Sequence, residues 1–100
     1  MSAIYRTFDQ ATLDHQYNAQ ATVGDITPFI KMYEEGSEAA RARLTFEEAL
    51  SFGASSEETL DLFPAGEGAP LLVFIHGGYW RALSKNESSF MAPCMEQHGI

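Results

Sequence analysis

The residues with the clearest capacity for chemistry form one short run, His76-Gly77-Gly78-Tyr79-Trp80. Two successive glycines let the backbone turn sharply and approach a ligand without a Cβ in the way, so that their amides can point inward. Amides aimed at a developing alkoxide stabilise a tetrahedral intermediate, and the loss of one such donor raises the barrier by about 2.7–4 kcal/mol. The run therefore predicts an oxyanion-binding loop for acyl transfer.

The segment before this loop agrees with that chemistry. Residues 71–75, Leu-Leu-Val-Phe-Ile, are apolar without alternation, which is typical of a strand covered on both faces in a parallel sheet. Open α/β sheets bind ligands beyond the carboxyl ends of their strands, where this loop begins. Lipases and esterases carry an HGGG-type loop there as part of the oxyanion hole. Tyr79 and Trp80 depart from a plain glycine run, which leaves the second donor open.

Two helices are predicted ahead of the strand. Thr12 is a candidate N-cap for a helix over about residues 13–20. A second helix is expected to start at Pro28, to be interrupted or kinked at Gly36-Ser37, and to resume to about Leu44.

A hairpin and a later helix complete the predicted elements. The alternating apolar residues of 59–63, separated from Leu50 and Phe52 by the turn-like residues 53–56, predict two antiparallel strands. After the loop, a helix is expected over about residues 87–97 and is stopped by Gly99.

Three runs resemble a known family: Leu13-Asp14-His15-Gln16-Tyr17-Asn18, Leu60-Asp61-Leu62-Phe63, and residues 74–81 with the following Lys85. They are similar to the arylformamidase (kynurenine formamidase) branch of the serine α/β-hydrolases over nearly the whole chain. The resemblance implies a three-layer α/β-hydrolase fold with a mostly parallel sheet. It also implies an enzyme of tryptophan catabolism that hydrolyses an N-formyl aryl amide through a Ser-Asp-His triad, without a cofactor.

The same resemblance assigns roles in the loop. It implies oxyanion donors at Gly77, Gly78 and Tyr79, and substrate contacts from His76, Tyr79 and Trp80. Of these, Tyr79 and Trp80 are expected to wall an aryl-binding pocket. His76 is expected to orient the loop and not to act as the triad base, because that base comes late in the chain order Ser, Asp, His.

A nucleophile elbow of the G-x-S-x-G type is not found in the sequence, since Ser84, Ser88 and Ser89 lack the flanking glycines. The triad is therefore expected beyond Ile100, and the chain alone is predicted not to catalyse acyl transfer. We interpret it as the N-terminal part of one α/β-hydrolase domain, with leading helices in 1–48 and the first strands, oxyanion loop and sheet helix in 49–100. The sheet edge is expected to be completed by further chain or by another chain, a homodimer being one candidate.

Composition excludes other classes of function. Fourteen acidic residues against six basic ones give a net charge of −8, which repels nucleic-acid phosphates and anionic lipid headgroups. A single cysteine and the lack of a signal or membrane-spanning run favour the cytoplasm. The expected partner is a small acyl amide or ester, with no nucleic acid and no membrane.

The remaining chemically capable residues are better explained by structure. His15 and His98 lack ligand-spaced partners, and Cys94 in an apolar stretch is expected to be a packing thiol. Gly66-Glu67-Gly68 lacks the third glycine of a dinucleotide loop. The paired glutamates Glu34-Glu35 and Glu47-Glu48 are expected to form solvated faces, so no metal site is predicted.

Two rival functions stay open. A general carboxylesterase would use the same loop, because the loop's chemistry serves esters and formamides alike. A non-catalytic binding protein on the same scaffold would lack the elbow and the late histidine in the downstream sequence.

Overall fold

The first helix, α1 (Gln10–Tyr17), begins at a different cap from the predicted one. The computed structural model describes residues 2–78 and 81–100, and in it Asp9, with extended backbone, caps α1. Its Oδ1 accepts hydrogen bonds from the Thr12 amide (2.9 Å) and the Thr12 hydroxyl (2.7 Å). Thr12 therefore lies inside the helix. Its prediction as N-cap is wrong, because Asp9, three residues earlier, accepts the hydrogen bond of the free Thr12 amide in the first turn. A short 3-10 turn, Ala19–Val23, follows.

The second helix, α2 (Thr27–Arg43), runs without a break through Gly36 and Ser37. The predicted interruption is wrong, because both residues serve packing. A Cβ on Gly36 would stand 3.0 Å from the Cβ of Phe90, so glycine permits the close approach. The Ser37 side chain is fully buried, and its hydroxyl accepts a hydrogen bond from the Ser89 amide (3.0 Å).

The core lies where α2 meets the C-terminal segment. Ala40 and Ala92 are the buried apolar residues of this contact. The rings of Tyr33 and Phe90 stack beside them, with centroids 4.8 Å apart. Small residues at the centre let the backbones approach, and the stacked aromatic pair packs beside them.

The predicted hairpin is confirmed as β1 (Glu47–Ser51) and β2 (Thr59–Leu62), paired antiparallel. Its register pairs Leu50 with Leu60 and Ser51 with Thr59, and it shifts between Glu47 and Leu50. Ala49, within that shift, has φ +55°, so the irregularity is a bulge in β1.

Residues 71–75 do not form the predicted buried strand. They have no strand pairing in the described structure, and the five residues are 51–85% exposed. A parallel strand needs a neighbour to receive its backbone hydrogen bonds, and the two described strands pair only with each other. The sheet of the described chain is therefore a two-stranded antiparallel one, and the expected three-layer parallel arrangement is not formed within it.

The predicted helix over 87–97 is divided into three pieces. Two 3-10 turns, Lys85–Glu87 and Ser89–Met91, lead into α3 (Ala92–Gln97). Pro93 in the first turn of α3 has no N–H to donate, so one α-helix cannot run through it with all its hydrogen bonds. Gly99, with φ +76°, follows the helix end as predicted. No helix in the described ranges is long and apolar enough to cross a bilayer.

The exposed apolar segment 71–75 generates a prediction about association. The Cα radius of gyration is 18.5 Å, against about 13 Å for a compact domain of this length, so much apolar surface lacks contacts within the chain. We expect the 100-residue chain to self-associate at micromolar concentrations. Val73→Lys, at a residue that is 69% exposed, should shift the mass measured by light scattering toward that of the monomer.

Ile4→Lys is the matched control, since Ile4 is 61% exposed but lies outside the segment. It should leave the mass unchanged. A wild-type chain that is monomeric and melts cooperatively would contradict the prediction.

Candidate oxyanion loop

His76 begins the loop and hydrogen-bonds to its own neighbour. Its side chain is exposed, and its Nδ1 lies 2.8 Å from the carbonyl oxygen of Gly77. A carbonyl oxygen only accepts, so Nδ1 carries the proton and donates. The bond fixes the direction of the Gly77 carbonyl.

Gly78 occupies a conformation that only glycine adopts readily. Its φ is +124°, and its carbonyl oxygen accepts hydrogen bonds from the amides of Arg81 (2.9 Å) and Ala82 (3.1 Å). A Cβ at this position would collide with the backbone carbonyl of Ala82. Gly77 differs, because its φ is not in the left-handed region and no atom lies within 4 Å of the place its Cβ would take.

The amides of Gly77 and Gly78 are the predicted donors that the structure describes. Neither amide donates a hydrogen bond to any residue within 2–78 or 81–100. Tyr79, the third predicted donor, and Trp80, the predicted aryl contact, lie outside the described residues. The oxyanion and substrate-binding roles of the loop stay predictions.

Two cavities of the described chain lie away from the loop. One of about 380 Å³ is lined by side chains of α2, β1 and the Lys85–Glu87 turn, namely Glu34, Glu38, Arg41, Glu48, Asn86 and Glu87. Another, of about 200 Å³, lies around α1. Neither of these two cavities is lined by His76, Gly77 or Gly78.

An ion pair that the sequence analysis did not assign links the hairpin to the segment after the loop. Lys85 Nζ lies 2.7 Å from Asp61 Oδ1, and the side chains are 29% and 5% exposed. The same oxygen accepts the Ala49 amide (2.9 Å). A lone carboxylate between Leu60 and Leu62 was the available signal, since an acidic residue in an apolar strand needs a partner if its side chain is buried.

The turn after the loop is closed by a capping box. Glu87 Oε2 accepts hydrogen bonds from the Ser84 amide (2.8 Å) and hydroxyl (2.7 Å), and Ser84 Oγ accepts the Asn86 amide (3.1 Å). The Ser84 hydroxyl lowers the pKa of Glu87, and this outweighs partial burial, which raises it. Backbone amides and the nearby charge of His76 lower the pKa further.

Helix α2 holds the same turn from the other side. Arg41 Nη1 donates to the Asn86 carbonyl oxygen (2.7 Å) and lies 3.4 Å from the Ser89 hydroxyl. The segment that follows the loop is thus fixed to both the hairpin and α2. Within the described ranges, no three His, Cys, Asp or Glu side chains are grouped so that they could hold a metal ion.

Comparison of the sequence with those of known proteins indicates which family the chain resembles. A kynurenine formamidase of Salmo salar is 31% identical over 98 residues, covering 95% of this chain and 32% of that protein. A kynurenine formamidase of Danio rerio is 32% identical over 77 residues, covering 74% of this chain and 26% of that protein. The chain is similar to kynurenine formamidases. The family resemblance predicted from the three runs is therefore confirmed.

The chain spans about a third of the length of these relatives at most. Both relatives bear the name of an enzyme, a formamidase. No family model matches the chain, and no solved structure matches it.

The two loop glycines generate a prediction about stability. Gly78→Ala should lower the free energy of unfolding by about 1–3 kcal/mol, because the added Cβ meets the Ala82 carbonyl and φ +124° strains an L-residue. Gly77→Ala is the matched control and should change it by less than about 0.5 kcal/mol, as at an unobstructed surface site. Denaturant titration of both variants of the whole protein measures the difference, and equal losses would contradict the described turn.

The capping box generates a prediction about pH. A folded-state pKa below the ordinary value of Glu87, 4.5, means that its stabilisation is present above that value and is lost as pH falls through the folded pKa. Glu87→Gln keeps an oxygen that can accept from Ser84 but removes the charge, so it should cost about 1 kcal/mol near neutral pH and progressively less in acid. Urea titrations of the whole protein, wild type and variant, from neutral pH to below pH 4.5 measure the difference.

Ser84→Ala supplies the control, because it removes the hydroxyl that chiefly lowers the pKa of Glu87. In that background the pH-dependent part of the Glu87→Gln effect should shrink. An unchanged pH dependence would show that another group is responsible.

Proposed function

We propose that the whole protein hydrolyses N-formyl aryl amides, as an arylformamidase-type serine α/β-hydrolase with a Ser-Asp-His triad. The observation that carries the proposal is the Gly78 turn, in which the amides of two glycines directly after His76 donate to no described residue. The similarity to kynurenine formamidases supports the substrate class. We further propose one domain acting in the cytoplasm, in which residues 71–75 form a strand of the parallel sheet once neighbouring strands pair with them.

The hydrogen bond of His76 gives the loop its direction. In a planar trans peptide the carbonyl and the following N–H point in opposite directions. Because His76 Nδ1–H holds the Gly77 carbonyl oxygen, it also sets the direction of the Gly78 N–H, away from the imidazole. His76 therefore acts on the oxyanion site through the peptide plane that it fixes, and this role needs no transfer of a proton to or from His76 during the reaction.

In the proposed reaction, these amides stabilise the negative charge that develops on the formyl carbonyl oxygen. A serine hydroxyl, deprotonated by the triad histidine, attacks the formyl carbonyl carbon, and the carbonyl oxygen becomes an alkoxide. The Gly77 and Gly78 amides, with the predicted Tyr79 amide, donate to that oxygen in the transition state. Collapse of the intermediate expels the aryl amine, which takes the proton from the histidine, and water then releases formate.

Substrate preference should reside in the aromatic residues after the glycines. Tyr79 and Trp80 are predicted to wall the aryl group, and an aromatic wall gains contact area with a flat ring. A general carboxylesterase would hydrolyse short aliphatic esters equally well. The ratio of kcat/KM for the two substrate classes separates these functions.

The test compares an N-formyl aryl amide with a short aliphatic ester in the whole protein. Wild type should prefer the formamide. Gly78→Ala should lower kcat on both substrates by about 10²-fold with little change in KM, because the donors act mainly on the transition state. Trp80→Ala should raise KM for the aryl substrate and leave the ester nearly unaffected.

Each arm has an outcome that contradicts it. Near-normal kcat for folded Gly78→Ala would remove the oxyanion assignment. Equal losses on both substrates for Trp80→Ala would remove the aryl wall. A wild-type protein that binds N-formyl aryl amides without turnover would favour the non-catalytic binding protein.

A further inference from the structure

We propose that Asp61 and Lys85 form an anchor that sets the position of the oxyanion loop, which makes both of them positioning residues for hydrolysis. The inference rests on the proposed function where it concerns turnover. Its structural part, the anchoring of the loop, stands on the contacts alone.

The anchor closes the stretch of chain that carries the site. Asp61 lies on β2 and Lys85 begins the 3-10 turn after the loop, 24 residues later. Residues 71–75 and the loop from His76 to Gly78 lie between them. A contact that joins the two ends of this stretch limits how far the loop can move relative to the hairpin.

The carboxylate is built into the hairpin. Asp61 Oδ1 accepts both Lys85 Nζ (2.7 Å) and the Ala49 amide (2.9 Å), so one oxygen joins the lysine to the bulge in β1. Ala49 has φ +55°, which an L-residue adopts only when its surroundings compensate. The hydrogen bond from its amide to Asp61 supplies such compensation, so the anchor point is held by its own strand pair.

Burial makes Lys85 necessary to this arrangement. The Asp61 side chain is only 5% exposed, and Oδ2 is buried without a hydrogen-bond partner among the described residues. A buried carboxylate whose second oxygen lacks a donor depends on its remaining partners, of which Lys85 is the only charged one described. Removing the ammonium would leave this charge unpaired and favour rearrangement of the segment.

A second ion pair, on α2, differs from the Asp61–Lys85 pair in its exposure to solvent. Lys31 Nζ lies 3.7 Å from Glu35 Oε1, and the side chains are 70% and 65% exposed. Such a pair is solvated and contributes little to structure. Lys31→Met therefore removes a lysine and an ion pair without touching the loop, and it is the matched control for Lys85→Met.

The experiment measures the loop and the reaction separately in the whole protein. Hydrogen exchange of the amides of residues 77–83 should become about tenfold faster or more in Lys85→Met and stay unchanged in Lys31→Met. On an N-formyl aryl amide, kcat of Lys85→Met should fall by about 10²-fold with little change in KM, because a small displacement of the donors weakens transition-state contacts most.

Asp61→Asn is the milder variant, because its amide oxygen still accepts from the Ala49 amide while the ion pair is lost. It should change exchange and kcat in the same direction by a smaller factor, and it decides the question if Lys85→Met does not fold. Unchanged exchange of the loop amides in both variants would overturn the anchor.

Two further results separate this inference from the proposed function. If wild type does not hydrolyse the substrate while loop exchange rises in Lys85→Met, the anchor holds and the hydrolytic role is overturned. If the folded variant has faster exchange but wild-type kcat and KM, the positioning role is overturned and the proposed function stands.

Discussion

A carboxylate taken out of water must be given positive charge and hydrogen-bond donors by its own surroundings, and this requirement organises the second half of the chain. Asp61 meets it with the Lys85 ammonium and the Ala49 amide. The amide contact accompanies the bulge in β1, and the ammonium contact brings the turn after the glycine loop against the hairpin. Capping by Ser84 and Glu87 completes that turn.

The other half of the fold meets this turn through α2. Arg41 reaches the Asn86 carbonyl, and the Ser37 hydroxyl accepts the buried Ser89 amide. Polar contacts between α2 and the C-terminal segment thus accompany a small apolar core of alanines and one stacked aromatic pair. The structure relies on a few directional bonds where the apolar core is small, because such bonds fix register as well as proximity.

Local patterns in the sequence predicted the elements that depend on local interactions. Alternation in residues 59–63 gave the hairpin, and Gly99 gave the end of the last helix. Gly36 was misjudged because its role depends on Phe90, more than fifty positions away, which no helix propensity contains. The apolar run 71–75 predicted burial, but a strand also needs a paired edge, and the described residues supply none.

The sequence predicted the glycine turn of the candidate site but not the ion pair beside it. The glycine pair predicted a tight turn, and Gly78 has a positive φ that favours glycine. The Asp61 to Lys85 contact was not predicted, because its partners are 24 residues apart and share no helical or strand period. Long-range ion pairs of this kind follow from the tertiary fold and have no signature in a single sequence beyond an acidic residue in an apolar strand.

The contact between Asp61 and Lys85 also joins the two ends of residues 61–85 by a route other than the covalent chain between them. Between β2 and residue 71 the chain runs through an exposed turn at Gly66–Gly68, where the Ala69 amide bonds back to Gly66 and glycines take positive φ. Because the ends of the stretch are joined by the Asp61 and Lys85 side chains, their proximity does not depend on this turn alone. It is the natural place to insert a reporter peptide or a protease recognition sequence, or to join two separately expressed halves of the protein.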